Sequence, residues 1–288
     1  MIQELIVKHI FRGRPLVIAT MHKKEIVIAP LITKELGVKY ITIPALDTDV
    51  FGSFSGEVER TNTPMQTARL KALAALKFCD ATLAIASEGS FGNHPSSIFL
   101  SANEEIVILI DIENQLEITG RYLTMDTNNN RRKIKSMQDL EEFKTEIGYP
   151  EHAIILKIEN LNSKDITIYK DFKSSKELEE TVCVALETNL LIEAETDMRA
   201  MNNPTRMKAI ECAMIDLIKN IQSICPKCQT PGFTIQLAIP GLPCEMCHSP
   251  TKSIKAFKYE CQKCNFSEIR IKEGPSTEDA MFCDLCNP

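Results

Sequence analysis

Eight of the eleven cysteines of this 288-residue chain lie after residue 224, in four Cys-x-x-Cys pairs. A Cys-x-x-Cys turn directs two thiolates at one metal ion, and two such turns complete the tetrahedral shell that structural Zn²⁺ prefers. Disulfides, an iron–sulfur cluster or a redox role are the alternatives, but the spacing favours zinc in a reducing compartment. The sequence therefore predicts two structural zinc sites. Their candidate ligands are Cys225, Cys228, Cys244, Cys247, Cys261, Cys264, Cys283 and Cys286.

The sequence leaves open which cysteine pairs share an ion. Sequential, nested and cross-braced arrangements all supply four ligands to each site. We expect the sequential arrangement, in which the first pair joins the second and the third joins the fourth, because it closes the shortest loops. His248, next to Cys247, is expected to be a bystander since eight cysteines already suffice.

Three polar clusters follow apolar, strand-like runs in the first 95 residues. The first contains Thr20, His22 and Lys24 and precedes a helical pattern. Hydroxyl, imidazole and ammonium groups beside a helix N-terminus suit a phosphate, because helix N-termini attract anions. The alternative is an ordinary solvated helix start.

The other two clusters offer carboxylates. Asp47, Asp49 and Glu57 lie in one glycine-containing segment, and Glu88 lies in the stretch IASEGSFGNHP. Carboxylates in this arrangement suit a hard cation such as Mg²⁺, although an acidic surface loop is the alternative for the 47–57 segment. We expect a strand at 81–87 that ends before Glu88. All three clusters would then follow strands, where open α/β sheets bind ligands.

A fourth segment, 195–207, places Asp197 before two arginines, Arg199 and Arg206. One interpretation is a structural salt bridge that fixes the entry to the following helix. The other is that the arginines hold a phosphate or carboxylate. The sequence alone favours neither.

These residues require a scaffold, and residues 15 to about 200 alternate strand-like and helix-like segments. This pattern predicts an α/β fold with a layered mixed sheet and flanking helices. Helix starts are predicted at Thr63, Ser136, Ser174 and Asn203, where a capping residue precedes a helical pattern. We expect an α/β domain at 1–222, with a cleft for phosphate and metal, and a double zinc ribbon at 223–288.

Composition and charge narrow the classes of protein. The chain is 44% hydrophobic and 25% charged, which is typical of soluble globular proteins. Its net charge of −6 argues against a nucleic-acid partner. The apolar runs are too short to span a membrane, and the N-terminal residues lack a signal-peptide pattern, so we expect a cytoplasmic protein. The common nucleotide, hydrolase and protease motifs do not occur.

Several longer motifs resemble those of an uncharacterised, mainly bacterial domain-of-unknown-function family. The motifs are ATMHKKE, DTDVFGSFSGE, ASEGSFGNHP, ETDMRAMNNPTRM and the tail CDLCNP. They span nearly the whole chain. The resemblance implies membership of that family but no established activity.

Residues 15–95 also resemble, more distantly, the inosine-triphosphate pyrophosphatase superfamily. Its members hydrolyse non-standard nucleoside triphosphates to a monophosphate and pyrophosphate with Mg²⁺. The resemblance implies that Thr20 and Lys24 hold phosphates, with His22 where the superfamily has an asparagine. It also implies that Glu88 is a metal ligand.

The helix that follows in this chain matches the superfamily in part. Its segment TARLKALAAL echoes a superfamily motif through Ala68, Lys71 and Ala72. The acidic metal ligand of that helix would fall near Gln66, which is neutral. Asp47, Asp49 or Glu57 would have to supply the second metal-binding carboxylate.

The function that we expect from the sequence is metal-dependent hydrolysis of a nucleoside triphosphate or related phosphoanhydride. Glu88 with Asp47, Asp49 or Glu57 would hold Mg²⁺ or Mn²⁺. The alternative is a non-enzymatic module that binds a nucleotide or phosphorylated small molecule in the α/β domain and a protein through the zinc ribbons. A homo-oligomer is compatible with both. The candidate phosphate-binding residues are Thr20, His22, Lys24, Arg69, Lys71, Arg199 and Arg206.

Overall fold

Three β-sheets and the helices beside them form the structure, a computed structural model that describes residues 2–51, 62–95, 97–161, 163–188 and 190–288. In these ranges the helices are α1 (Ile2–Phe11), α2 (Glu25–Leu36), α3 (Pro64–Leu76), α4 (Met137–Ile147), α5 (Ser175–Glu187) and α6 (Pro204–Gln222). The strands are β1 (Pro15–Ala19), β2 (Lys39–Thr42), β3 (Leu83–His94), β4 (Ser97–Asp111), β5 (Leu116–Thr124), β6 (Arg131–Ile134), β7 (Ile154–Glu159), β8 (Ile166–Tyr169), β9 (Leu191–Thr196), β10 (Thr234–Pro240), β11 (Ile254–Glu260) and β12 (Ser267–Ile271).

The first sheet has the strand order β2-β1-β3-β4-β5. β1 is parallel to β2 and β3, whereas β3, β4 and β5 are antiparallel to their neighbours. Helix α3 covers one face through small side chains, including Ala68, Ala72 and Ala75. Helices α1, α2 and α6 cover the other face with larger aliphatic residues. The predicted mixed sheet with flanking helices is therefore confirmed.

Glu88 does not lie after a strand. The structure continues β3 through Glu88 to His94, which pairs with Ser97 at the start of β4. Glycine, serine and asparagine are typical of loops, and this composition led to the prediction that the strand ends at residue 87. That prediction was wrong because hydrogen bonding to β4 along the whole segment outweighs the low strand propensity of these residues.

The second sheet has the order β6-β9-β7-β8, with all neighbours antiparallel. Helices α4 and α5 pack on one of its faces and form a separate apolar core. The hydroxyls of Ser136 and Ser174 accept hydrogen bonds from backbone N–H groups in the first turns of these helices, as predicted. Thr63 forms the predicted capping box with Gln66, and Asn203 caps α6. Strand β5, strand β6 and helix α1 were not predicted.

The third sheet consists of β10, β11 and β12, which form an antiparallel meander in the cysteine-rich region. Helix α6 ends at Gln222, close to the predicted boundary, and the division into two domains stays a prediction. Within the described residues, no helix is both long and apolar enough to cross a lipid bilayer.

Gly120 in β5 permits the closest helix–sheet contact. A Cβ atom at this position would collide with the backbone of Ala213 and Leu217 in α6. Backbone atoms cannot rotate away from such a contact, so the helix would have to move. Close packing of α6 on β5 therefore depends on the missing side chain.

We expect Gly120→Ala to lower the free energy of unfolding by about 2 kcal/mol, the usual cost of overpacking a core. Urea denaturation followed by circular dichroism measures this change. Gly92→Ala is the matched control, because a Cβ at Gly92 would meet no atom within 4 Å. Equal stability of the two variants would contradict the proposed role of Gly120.

Candidate functional sites

The eight C-terminal cysteines form two groups of four. We call Cys225, Cys228, Cys261 and Cys264 tetrad 1, and Cys244, Cys247, Cys283 and Cys286 tetrad 2. Within each tetrad, the four Sγ atoms lie within 4.8 Å of one another. Each tetrad could hold one metal ion.

The sulfur separations fit a tetrahedral zinc shell. The Sγ atoms of Cys225 and Cys264 are 3.7 Å apart, and those of Cys247 and Cys283 are 3.6 Å apart. Zn–S bonds of about 2.3 Å place tetrahedral sulfurs about 3.8 Å from one another, whereas a disulfide needs about 2 Å. All eleven cysteines are free. The all-thiolate donor set and its spacing therefore fit two zinc ions.

The predicted sequential pairing was wrong. Tetrad 1 combines the first and third Cys-x-x-Cys pairs, and tetrad 2 combines the second and fourth. The antiparallel meander explains this cross-braced arrangement, because successive turns lie at opposite ends of the sheet. The argument from loop length failed since the residues between the pairs are strands rather than flexible loops.

The environments of the thiols differ within each tetrad. Burial raises the pKa of Cys261 to about 12. Burial also opposes ionisation of Cys228, but hydrogen bonds with Thr230 outweigh it and lower the pKa of Cys228 to about 6. In tetrad 2, a hydrogen bond from the backbone of Ser249 lowers the pKa of Cys247 to about 6. Four adjacent thiolates repel one another, and a divalent ion would remove that obstacle to ionisation.

A second group of polar residues is buried between the helices of the first sheet. We call it the polar layer; it comprises Lys24, Lys71, Ser87, Glu88, Asn103, Glu105 and Arg206, each at most 6% exposed. Strand β1 pairs with β3 only as far as Ala19, which lies opposite Ala86. The polar layer therefore begins where β1 ends and β3 continues.

On the face covered by α3, the polar layer contains an ion pair. The Nζ atom of Lys71 lies 2.6 Å from Oε2 of Glu88. Both side chains are buried, so water screens the attraction little. The structure thus brings together two of the predicted site residues, and Lys71 is a counter-ion of Glu88.

Near the end of β1, Lys24 extends from the start of α2 to β3. Its Nζ donates hydrogen bonds to the carbonyl oxygen of Ser87 at 3.1 Å and to Oγ of Ser87 at 3.0 Å. Burial lowers the pKa of Lys24 to about 7, and repulsion by Arg206 and Lys71 adds to this shift. The carboxylates of Glu88 and Glu105 oppose it only in part.

On the face covered by α6, Nε of Arg206 lies 2.8 Å from Oε1 of Glu105, and both side chains are fully buried. A Cβ atom at Gly89 would overlap the Glu105 carboxylate, so the glycine makes room for it. Sequence reasoning missed Glu105. Its position as an acid at the start of the apolar run 105–110 was the available signal.

Arg199 does not join the polar layer. Its Nη2 lies 2.6 Å from Asp197 and 2.7 Å from Asp171. Burial lowers the pKa of Arg199, but the hydrogen bonds with Asp197 and Asp171 outweigh burial and raise it. This arrangement matches the first of the two interpretations of the 195–207 segment, a structural salt bridge, rather than a site for a phosphate or carboxylate ligand. Arg206, through Glu105, is likewise held by a carboxylate.

Arg69 lies farther from Glu88 along the sheet. Its guanidinium binds the exposed Glu117 carboxylate at 2.8 Å. Glu117 pairs with Ile110 of β4, whereas Glu88 pairs with Ile106, about 13 Å along the strand. A phosphate-binding role for Arg69 stays a prediction without support from its position.

The first two polar clusters lie near each other. Thr48 N contacts Sδ of Met21 at 3.0 Å, which joins the loop after β2 to the loop after β1. Thr20 Oγ1 accepts a hydrogen bond from His22 N at 3.3 Å, and Asp47 is exposed. The side chain of Asp49 and the whole of Glu57 lie outside the described residues.

We expect the purified protein to contain two zinc ions per chain, because each tetrad supplies a complete thiolate shell. Elemental analysis of the dialysed protein measures this content. Cys79→Ser is the control that should leave it unchanged, since Cys79 belongs to neither tetrad. Iron with acid-labile sulfide in place of zinc would contradict the prediction.

We expect Lys71→Met to lower the free energy of unfolding by about 3 kcal/mol, because it leaves the buried Glu88 carboxylate without this counter-ion. The double variant Lys71→Met/Glu88→Leu should recover part of that loss. Lys8→Met is the control, since Lys8 forms an exposed pair with Glu4 and its loss should be undetectable. A double variant less stable than Lys71→Met would contradict the pairing.

Comparisons with known proteins bear on the family. Residues 71–288 match the family model described as "Domain of unknown function (DUF6671)". No curated protein matches the chain. Among solved structures, the crystal structure of protein VC0702 from Vibrio cholerae is similar to this chain with 11% sequence identity and a TM-score of 0.31, over 72% of this chain and 94% of that one. The resemblance to the inosine-triphosphate pyrophosphatase superfamily is not confirmed. This chain belongs to the domain-of-unknown-function family DUF6671, the kind of family that its motifs indicated.

Proposed function

We propose that the polar layer binds the phosphate groups of a nucleotide or a related phosphorylated small molecule. One observation carries this proposal. Among the described residues of the layer, Lys24, Lys71 and Arg206 contribute three buried basic groups and Glu88 and Glu105 two carboxylates, so a protonated Lys24 has no carboxylate of its own there. A buried charge without a counter-ion is costly, and a bound anion would remove that cost.

The position of Lys24 supports the same proposal. Lys24 directly precedes α2 and follows the end of β1. Anions bind at helix N-termini because the backbone N–H groups there are free to donate, and α/β sheets bind ligands beyond the carboxyl ends of their parallel strands. Thr20 lies in the same connection and offers a hydroxyl.

The more specific proposal is hydrolysis of a phosphoanhydride with Mg²⁺ or Mn²⁺. Carboxylate oxygens of Glu88 and Asp47 suit such an ion, which polarises a phosphoryl group and orients a water molecule. Glu88 would have to exchange Lys71 for the metal, which would free the Lys71 ammonium to bind a substrate phosphate. The position of Lys24 supports this step, because its Nζ bonds to Ser87, the residue next to Glu88.

The competing proposal is a module that binds a ligand without turnover and contacts a protein through its zinc-ribbon region. Large apolar side chains near tetrad 2 favour it, because exposed apolar residues are typical of binding surfaces. Met246 is 70% exposed, Phe282 58% and Leu285 72%.

Binding of sulfate, followed by isothermal titration calorimetry, tests the anion site. Sulfate does not change its protonation state near neutral pH, so any proton taken up when sulfate binds is bound by the protein. We expect proton uptake above pH 7, because an anion raises the pKa of Lys24, and an affinity that falls up to tenfold per pH unit as the pH rises.

Lys24→Met should abolish both sulfate binding and proton uptake. Lys34→Met is the matched control, since Lys34 lies on the same helix with an exposed side chain and should leave binding unchanged. Unaltered sulfate binding by Lys24→Met would overturn the proposal.

The stability of the ligand-free protein should also depend on pH through Lys24. An unfolded lysine has a pKa near 10.5, so the unfolded chain binds more protons than the folded chain between about pH 7 and 10.5. Stability therefore rises with pH in this range, by about 2 kcal/mol between pH 7 and 9. Urea denaturation of the wild type and of Lys24→Met measures the difference, and parallel pH profiles would contradict a buried, neutralised Lys24.

Turnover separates the enzyme from the binding module. A panel of nucleoside triphosphates with Mg²⁺ or Mn²⁺, assayed for phosphate and pyrophosphate release, should show activity that Glu88→Gln lowers at least about 100-fold. Glu104→Gln is the control, since the Glu104 carboxylate is partly exposed and forms an ion pair with Arg121. Sulfate binding without turnover of any nucleotide would remove the hydrolase and leave the binding site.

A further inference from the structure

We propose that the two tetrads hold metal with different lability. Tetrad 1 is a permanent site that fastens the cysteine-rich sheet to β5, and tetrad 2 is an exchangeable site for a thiophilic divalent ion such as Zn²⁺ or Cd²⁺. The inference concerns the cysteines alone and is independent of the polar layer.

The tetrads lie at opposite ends of the β10-β11-β12 sheet. Cys225 and Cys228 precede β10, and Cys261 and Cys264 lie in the turn between β11 and β12. The second pair lies in the turn between β10 and β11, and the fourth pair follows β12. A seven-residue strand separates the two ends by roughly 20 Å. The surroundings of each ion are therefore set independently.

Tetrad 1 lies in an apolar environment continuous with the first sheet. Cys225 and Cys261 pack with the buried ring of Phe233. Ile224, next to Cys225, packs against the core formed by α2, α6 and the first sheet. Gly232 passes so close to Ile118 of β5 that a Cβ atom would lie 2.8 Å from its Cγ1. These contacts join tetrad 1 to the apolar core of the first sheet.

Gln262 connects tetrad 1 directly to the edge of β5. It lies between Cys261 and Cys264, and its Nε2 donates to the carbonyl oxygen of Glu117 at 2.6 Å. Its Oε1 accepts a hydrogen bond from Glu117 N at 3.1 Å. The Gln262 side chain thus forms both backbone hydrogen bonds that a neighbouring strand would form with Glu117.

The same edge of β5 is covered elsewhere by α6. Asn220 donates to the carbonyl oxygen of Thr119 at 2.8 Å, and Asp216 accepts from Arg121 N at 3.0 Å. Uncovered sheet edges pair with other chains, so proteins protect them. Gln262 completes this protection only while the Cys261–Cys264 turn keeps its shape, which depends on the metal.

Tetrad 2 is held by contacts within the cysteine-rich region. Glu245 N donates to the carbonyl oxygen of Glu278 at 2.9 Å, and Glu278 N donates to that of Pro243 at 2.8 Å. The ion pair of Lys252 with Asp284 is largely exposed. Opening tetrad 2 therefore disrupts only local contacts, whereas opening tetrad 1 also separates the region from β5.

Zinc release from the full-length, zinc-loaded protein tests the proposal. A chelator in excess, with zinc transfer followed by absorbance, should remove one equivalent quickly and the second at least about 100-fold more slowly. The slow phase should coincide with the loss of circular dichroism signal. Release of both equivalents in one phase would overturn the proposal, and this result requires no variant to fold.

Two matched variants assign the phases. Cys228 and Cys247 are both exposed second cysteines of a Cys-x-x-Cys pair, in tetrads 1 and 2 respectively. Cys247→Ser should lose the fast phase and keep the slow one, and the protein should remain folded. Cys228→Ser should lose the slow phase. A fast phase that persists in Cys247→Ser would overturn the assignment.

Gln262→Ala tests the connection to β5 while it leaves all eight thiols in place. We expect the slow phase to accelerate about tenfold, the fast phase to stay unchanged, and hydrogen exchange at the Glu117 amide to increase. Gln236→Ala is the control, since Gln236 is exposed and bonds to Thr234 within its own strand. A slow phase that Gln262→Ala leaves unchanged would show that the connection does not retain the metal.

Discussion

The pairing of β3 with β4 is the constraint on which most of this structure depends. The two strands are hydrogen-bonded from Leu83 opposite Asp111 to His94 opposite Ser97. Helix α3 packs on one face of this pair and α6 on the other, and β5 extends the sheet from β4. Because side chains alternate along a strand, neighbouring residues of β3 supply polar groups to both faces. Pairing of β3 with β4 beyond Glu88 is therefore needed to assemble the polar layer.

Electrostatics in the polar layer follows from that geometry. Glu88 and Glu105 lie on opposite faces, and each is bound by a cation from the helix that covers its face, Lys71 of α3 and Arg206 of α6. Lys24 enters where β1 ends and bonds to neutral oxygens of Ser87. Each carboxylate thus has a cation beside it, whereas Lys24 bonds to neutral oxygens, and burial together with repulsion by Arg206 lowers its pKa.

The cysteine-rich region depends on topology rather than on electrostatics. An antiparallel meander returns to the same end after every second strand, so alternate Cys-x-x-Cys turns meet. One of the resulting tetrads lies against β5 through Gln262, and the other lies about a strand length away. Two tetrads built from the same Cys-x-x-Cys motif therefore differ in their surroundings: tetrad 1 is hydrogen-bonded to β5, whereas tetrad 2 is held by contacts within the cysteine-rich region.

The sequence by itself determined the features that arise from local chemistry. The eight metal-ligand candidates, the caps at Thr63, Ser136, Ser174 and Asn203, and the mixed α/β class followed from spacing, capping preference and periodicity. Each depends on residues a few positions apart. Lys24 and Glu88 were also recognised as candidates because they follow strand-like runs, and Lys71 because its helix resembles a motif of the inosine-triphosphate pyrophosphatase superfamily.

Only the tertiary structure decided the features that join distant segments. It extended β3 through Glu88, paired the cysteines in cross-braced order, and brought Glu105 to Arg206 across 101 positions of the chain. Composition around Glu88 indicated a loop, and loop length indicated sequential pairing. Both predictions were wrong because hydrogen bonds between strands, rather than local preference, determine the path of the chain in β3 and in the cysteine-rich sheet.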